Sequence, residues 1–254
     1  MGAAVSAAIR IDDLTLGYDG HPAVHHLSGV FAEGSLTAVI GPNGSGKSTL
    51  LKGIMGMLAP FGGTITRRGE LAYLPQIAEI DRSFPATVAE LVGLGLWKRR
   101  GVFRGFTGAD RLQLAEALTA VGLDGFARRG IDTLSGGQMQ RALFARVLLQ
   151  DAQVVLLDEP FAAIDENTVS DLMGLIARWH EEGRTVIAVL HDLALVRRYF
   201  PETLLLAREP LGWGPTAEVM TDEALARARA MPEAWDEQAP WHDEGSHRHR
   251  EHVH

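Results

Sequence analysis

The sequence predicts an α/β fold built on a parallel sheet, with a helical segment inserted into it. Three observations carry this expectation. The short apolar run at 36–40 and the segments 153–157 and 185–190 read as strands, the four apolar residues before Asp158 marking a buried one. Helical periodicity follows the first run, and a helix at about 167–182, ended by Gly183, separates the other two. Between about 85 and 133 the character turns helical. Strand–loop–helix units in succession imply parallel strands joined by crossovers.

The elements follow in order. Residues 9–16 alternate loosely, with Ile9, Ile11, Leu14 and Leu16 apolar, and read as an edge strand running into Gly17-Tyr18-Asp19-Gly20. Leu36 to Ile40 ends at a glycine-rich loop. Behind it Leu50, Leu51, Ile54, Met55 and Leu58 recur at helical spacing up to Pro60. Thr64 to Tyr73 reads as a further strand pair around Arg68-Gly69. Thr87-x-x-Glu90 and Thr107-x-x-Asp110 have the form of capping boxes, and Gly122 is placed to stop the second helix. After Ser135, the residues Met139, Leu143 and Val147 form an i, i+4 stripe. No internal repeat is visible, so one copy of the unit is present.

Composition bounds the function. A chain of 254 residues can bury a full core. No run of about 18 uncharged apolar residues suggests a membrane span, and the first residues lack the charged and apolar regions of a secretion signal. Zero cysteines exclude disulfides and thiolate metal sites. A net charge of −8 argues against electrostatic capture of nucleic acid.

Gly41-Pro42-Asn43-Gly44-Ser45-Gly46-Lys47-Ser48 fits G-x-x-x-x-G-K-[ST] between a strand and a helix. Its glycines let backbone N–H groups approach phosphate oxygens at a helix N-terminus. Lys47 should reach the β- and γ-phosphates, Ser48 should offer its hydroxyl to Mg²⁺, and Thr49 should add a contact near the α-phosphate. Four apolar residues then deliver Asp158 and Glu159 to the C-terminal edge of a buried strand, where open α/β sheets bind ligands. Asp158 should hold Mg²⁺ through its water shell, and Glu159 is the candidate general base. These two motifs alone indicate a nucleotide site for ATP or GTP with Mg²⁺. Between them lies Leu134-Ser135-Gly136-Gly137-Gln138. Ser135 is a good N-cap, and Gly136 and Gly137 leave N–H groups uncovered at a positive helix end.

The three motifs together resemble the ATPase subunit of ABC (ATP-binding cassette) transporters, over roughly residues 9 to 206. The resemblance implies a P-loop ABC ATPase core with a parallel sheet, an N-terminal antiparallel β subdomain and an inserted helical subdomain at about 77–133. It implies ATP and Mg²⁺ as ligands, with ATP held between one chain's phosphate loop and the Ser135–Gln138 segment of a second copy. His191, after the run Thr185 to Leu190, matches the family's switch histidine. Gln76, in Tyr73-Leu74-Pro75-Gln76, matches its Q-loop, where a neutral amide can bind Mg²⁺ or water weakly and let go. Tyr18 matches the aromatic that stacks on adenine. Ala162 and Ile164 depart from the usual serine and leucine, which removes one interface hydrogen bond, while Asp165, expected to cross the dimer interface, is kept.

Cargo is the least determined feature. Asp81-Arg82-Ser83-Phe84-Pro85-Ala86-Thr87-Val88 resembles the segment after the Q-loop in zinc, manganese and iron importers. Residues 207–240 form an extension, and 241–254 a tail whose composition predicts disorder. The tail holds five of the ten histidines, His242, His247, His249, His252 and His254, interleaved with acidic residues that suit Zn²⁺. The reading is an ATPase energising import of a divalent metal, zinc ahead of others, peripheral on the cytoplasmic face of the membrane. Its expected partners are a second copy, membrane permease subunits and, indirectly, a metal-binding extracytoplasmic protein. The rivals are another cargo (manganese, iron-siderophore), a non-transport ABC ATPase, and a zinc-binding protein with a vestigial ATP site.

Overall fold

A computed structural model describes residues 6–100, 105–162 and 164–230. The histidine-rich tail at 241–254 lies outside the described residues. Two sheets form the frame. In the first, β1 (Ala7–Tyr18) pairs antiparallel with β2 (His21–Ala32) on one side and with β4 (Gly62–Arg67) on the other. In the second, β5 (Leu71–Leu74), β6 (Val154–Asp158), β7 (Thr185–Val189), β3 (Leu36–Ile40) and β8 (Glu202–Ala207) run parallel in that order, and β9 (Glu209–Pro215) adds antiparallel to β8.

Two expectations about strands are corrected. Residues 9–16 are not an edge: β1 is the central strand of its sheet, with a neighbour bonded along each side. The loose alternation has a physical origin in register shifts on both sides and a left-handed residue, Asp13, at φ 47°. The strands around Arg68-Gly69 do not pair with each other either, because β4 joins the antiparallel sheet and β5 the parallel one. Gly69, at φ 81°, turns the chain between them.

The parallel strands are mostly apolar because both faces are covered, with Thr37, Thr185 and Thr203 as buried polar exceptions. Alternate residues divide between two cores. Val154 and Leu156 pack with Ile9, Leu16, Phe31, Leu50 and Ile54, beneath the antiparallel sheet and α1 (Lys47–Met55). Val155 and Leu157 pack with the helices of the opposite face, chiefly α5 (Gly136–Gln150) and α6 (Glu166–Glu181). Met139, Leu143 and Val147, the stripe read from sequence, are buried there, and Phe144 stacks on the buried Trp179 at 6.0 Å.

The inserted segment carries α2 (Val88–Gly93), α3 (Trp97–Arg100) and α4 (Gly108–Ala120). Both predicted capping boxes form: Thr87 with Glu90, and Thr107 with Asp110. After α6 and β7 come α7 (Leu193–Tyr199) and, beyond β9, α8 (Thr216–Val219) and α9 (Asp222–Arg229). The sheet therefore continues past residue 206, and Trp213 of β9 sits 4.6 Å from the Phe31 ring, tying this strand to the antiparallel sheet. No helix among the described residues is long and apolar enough to cross a membrane.

Candidate active site

The strand order decides which residues meet. Leu74 pairs with Leu157, and Asp158 with Val189, so Gln76, Glu159 and His191 all emerge from one edge of three adjacent strands. β3 lies on the far side of β7 and delivers the loop 41–46 to the same edge. Sequence separations of 82 to 110 residues thereby close to hydrogen-bond distance.

At two of its glycines the loop is held by backbone that leaves no space for a side chain. A Cβ on Gly41, at φ 154°, would lie 1.9 Å from the Leu206 carbonyl oxygen, and one on Gly46, at φ 92°, would lie 2.4 Å from that of Ala23. Lys47, 6% exposed, donates through Nζ to the carbonyls of Gly41 and Pro42 at 3.0 and 2.7 Å. Burial lowers its pKa from the usual lysine value, opposed by the nearby charges of Glu159 and Asp158. The Ser45 hydroxyl is buried within the loop with no hydrogen-bond partner. Asn43 and Gly44 are exposed at the tip, and Thr49 is buried in the first turn of α1.

Around Asp158 the polar groups are bonded on every side. Ser48 Oγ donates to Asp158 Oδ1 at 2.9 Å, and the Tyr73 hydroxyl donates to Oδ2 at 3.3 Å. Gln76 Nε2 reaches Ser48 Oγ at 3.1 Å, Asp158 Oδ1 at 3.4 Å and Glu159 Oε1 at 3.0 Å. Burial pushes the Asp158 pKa up, against the stabilisation of its anion by Ser48, Gln76 and Tyr73. The Tyr73 hydroxyl is pushed up too, first by burial and then by the Asp158 charge. Hydroxyl, carboxylate and amide form an oxygen-rich donor set that suits a hard cation such as Mg²⁺. The Gln76 amide can present either its Oε1 or its Nε2. Among the described residues no group of three or more His, Asp or Glu could hold a metal ion. Such a cation would therefore need the hydroxyl, the amide and its ligand's own oxygens.

Glu159 occupies a left-handed conformation at φ 48°, uncommon for a residue with a Cβ. The turn lifts its carboxylate off the strand end, where Oε1 meets His191 Nε2 at 2.8 Å. A cleft of about 700 Å³ opens beside the pair, walled in part by Phe161, Ile164, Leu195 and Tyr199.

The other predicted residues stand apart. Tyr18 ends β1 and is 46% exposed. Ser135 caps α5, its Oγ accepting from Gln138 N at 3.2 Å while Gln138 Oε1 accepts from Ser135 N at 3.0 Å. Gly136 and Gly137 open the helix, where the N–H groups have no intrahelical acceptor. Among the described residues no hydrogen bond joins this segment to Lys47, Asp158 or Glu159 in the same chain. Asp165 caps α6, accepting from Thr168 N at 2.9 Å and from Thr168 Oγ1 at 2.8 Å. Tyr73 was missed by sequence reasoning, though it stands in the same Tyr-Leu-Pro-Gln run as Gln76; a buried tyrosine needs a partner for its hydroxyl.

A family model described as ABC transporter matches residues 24–162. The chain belongs to the ABC transporter family. A manganese transport system ATP-binding protein of Bacillus subtilis is 38% identical to it, over 86% of this chain and 91% of that one. A zinc transport system ATP-binding protein of Treponema pallidum is 37% identical, over 89% and 88%. Among solved structures, an inward-facing ABC transporter assigned to the metal-chelate type superposes with a TM-score of 0.80 at 28% identity, covering 88% of this chain and 89% of that one. A dimeric ATP-binding cassette in a post-hydrolysis state with ADP and Pi gives 0.73 at 26% identity, covering 82% and 98%. As an ABC cassette the protein binds ATP and hydrolyses it to power transport. Cassettes of this family pair as dimers and work with membrane permease components.

Proposed function

We propose that this ABC cassette energises import of a divalent metal ion, zinc ahead of others, as a homodimer beneath membrane permease subunits on the cytoplasmic face. The observation that carries the catalytic part is the double contact of Glu159, to Gln76 at 3.0 Å and to His191 at 2.8 Å, beside the Ser48–Asp158 pair. Lys47 and the loop 41–46 bind the phosphates, and Thr49 adds a contact near the α-phosphate. Ser48, Asp158 and Gln76 would hold Mg²⁺, which when bound offsets the negative charge of the phosphate oxygens. Glu159 takes the proton of the attacking water, and His191 orients it from the neighbouring strand. Tyr18 stacks on adenine. The Ser135–Gln138 segment completes the site of the second copy.

The cassette proper is taken as 9–206 with its helical subdomain at about 77–133, followed by the extension 207–240 and the tail 241–254. Movement reaches the permease through the helical subdomain, and cargo arrives from a metal-binding extracytoplasmic protein. The relatives named for manganese and zinc support a metal, and the five tail histidines favour zinc. Manganese is the second reading, favoured by the Bacillus subtilis relative at 38% identity.

Uptake of labelled zinc and manganese into vesicles holding the assembled transporter tests the cargo, with and without residues 241–254. Zinc uptake is expected, with basal ATPase unchanged by truncation. Zinc-dependent modulation of activity should vanish with the tail, and should weaken between about pH 7 and 5.5 as imidazole, with a free pKa of about 6.5, is protonated. Manganese uptake without zinc uptake would overturn the zinc assignment. Equal zinc binding by full-length and truncated chains would dismiss the tail site.

A further inference from the structure

The peptide unit leading into Ser135 is held by side chains at both of its ends. Its N–H belongs to Ser135 and donates to Gln138 Oε1 at 3.0 Å. Its carbonyl belongs to Leu134 and accepts from Arg82 Nη2. The first contact is the local capping box of α5. The second comes from 52 residues upstream, out of the segment that begins at Gln76.

That segment is anchored on both sides of Arg82. Upstream, Gln76 precedes a 3-10 turn at Ile77–Glu79, and the Glu79 carboxylate lies 2.6 Å from Lys52 Nζ on α1, the phosphate-loop helix. Downstream, Val88 N donates to the Arg129 carbonyl and Ile131 N to that of Ala86, both at 2.9 Å, lacing 86–88 to the strip that runs into Leu134. Arg82 lies between these anchors, half-buried, and among the described residues it is the charged side chain that reaches the Leu134 carbonyl.

We infer that Arg82 is a positioning residue for the composite ATP site. It holds the Leu134–Ser135 peptide plane so that Ser135 and the N–H groups of Gly136 and Gly137 face the second copy's nucleotide in one geometry. It also ties that geometry to Gln76, which touches Ser48, Asp158 and Glu159 in its own chain. The inference rests on the proposed composite site. Loosening this peptide at its carbonyl end would cost affinity between copies without altering the phosphate loop's own grip on ATP.

The test uses the full chain carrying Glu159→Gln, with ATP-driven dimerisation followed by light scattering. Binding of a fluorescent ATP analogue to dilute monomer is followed in parallel. Adding Arg82→Ala should raise the ATP needed for half-maximal dimerisation about tenfold, as for loss of one charge-assisted hydrogen bond, with monomer binding unchanged. Arg82→Lys keeps a cation able to donate to one carbonyl and should lose less, and it answers the question if the alanine variant does not fold. Ser135→Arg serves as the reference and should not dimerise. Normal dimerisation of both Arg82 variants beside failure of Ser135→Arg would overturn the role of Arg82 alone. Equal losses in monomer binding and dimerisation would overturn it as well, because the residue would then support the whole fold. Dimerisation of Ser135→Arg would instead overturn the composite site beneath it.

Discussion

Glu159→Gln should leave ATP binding intact and slow steady-state hydrolysis by about 10²–10⁴-fold, the usual cost of losing a general base. The substitution keeps the size of the side chain and an oxygen able to accept from Gln76 Nε2, now 3.0 Å from Oε1. What it removes is the basic carboxylate placed 2.8 Å from His191. With turnover blocked, ATP should hold two copies together, and size-exclusion chromatography should show a dimer that disperses when ATP is withdrawn. Hydrolysis at the wild-type rate would take Glu159 out of the mechanism. Lys47→Ala should behave differently and weaken nucleotide binding itself. Its buried ammonium is the cation of the phosphate loop and already donates to the Gly41 and Pro42 carbonyls.

Mixing two inactive chains should restore activity. Ser135→Arg spoils what a chain offers its partner and leaves its own phosphate loop whole, while Lys47→Ala does the reverse. Each homodimer then has two damaged sites. A heterodimer has one site damaged twice and one built from two intact halves. Because only the heterodimer has an intact site for ATP to close, mixing in equal amounts should return up to about half of wild-type ATPase, if the two sites of a two-fold dimer act independently. Ser135→Arg also removes the side-chain cap of α5, a loss of about 1 kcal/mol that a domain of this size tolerates. Persistent inactivity of the mixture, with both chains folded, would count against a site shared between copies.

Much of the local structure is legible in the sequence. Local motifs with a mechanism survived intact: the capping boxes at Thr87 and Thr107, the N-cap at Ser135, and the buried stripe Met139, Leu143 and Val147. Each depends on residues within one or two turns of each other, so a linear reading contains the whole interaction. The loose apolar alternation of residues 9–16 reads as an edge strand. The central place of β1 depends on pairing with β2 along one side and β4 along the other, which no periodicity within residues 9–16 reveals. Tyr73 was passed over because its hydroxyl answers to Asp158, 85 residues away. The contact of Arg82 is invisible in the sequence, since its acceptor is a backbone carbonyl, and a carbonyl leaves no mark there.

By itself, then, the sequence determined the chemistry available: a phosphate loop with its lysine, an acidic strand end, a polar amide, a histidine and a helix cap with open N–H groups. Tertiary structure alone decided which of these meet. The order β5-β6-β7-β3 brings Gln76, Asp158, Glu159, His191 and the phosphate loop to one edge. Among the described residues it leaves Ser135 without a hydrogen bond to that group in its own chain. Apolar runs declare that a strand is buried on both faces, yet nearly interchangeable runs of Val, Leu, Ile and Ala carry no record of their neighbours. Sheet order comes from the crossovers, the twist and the packing of two cores on opposite faces, and these are properties of the assembled chain.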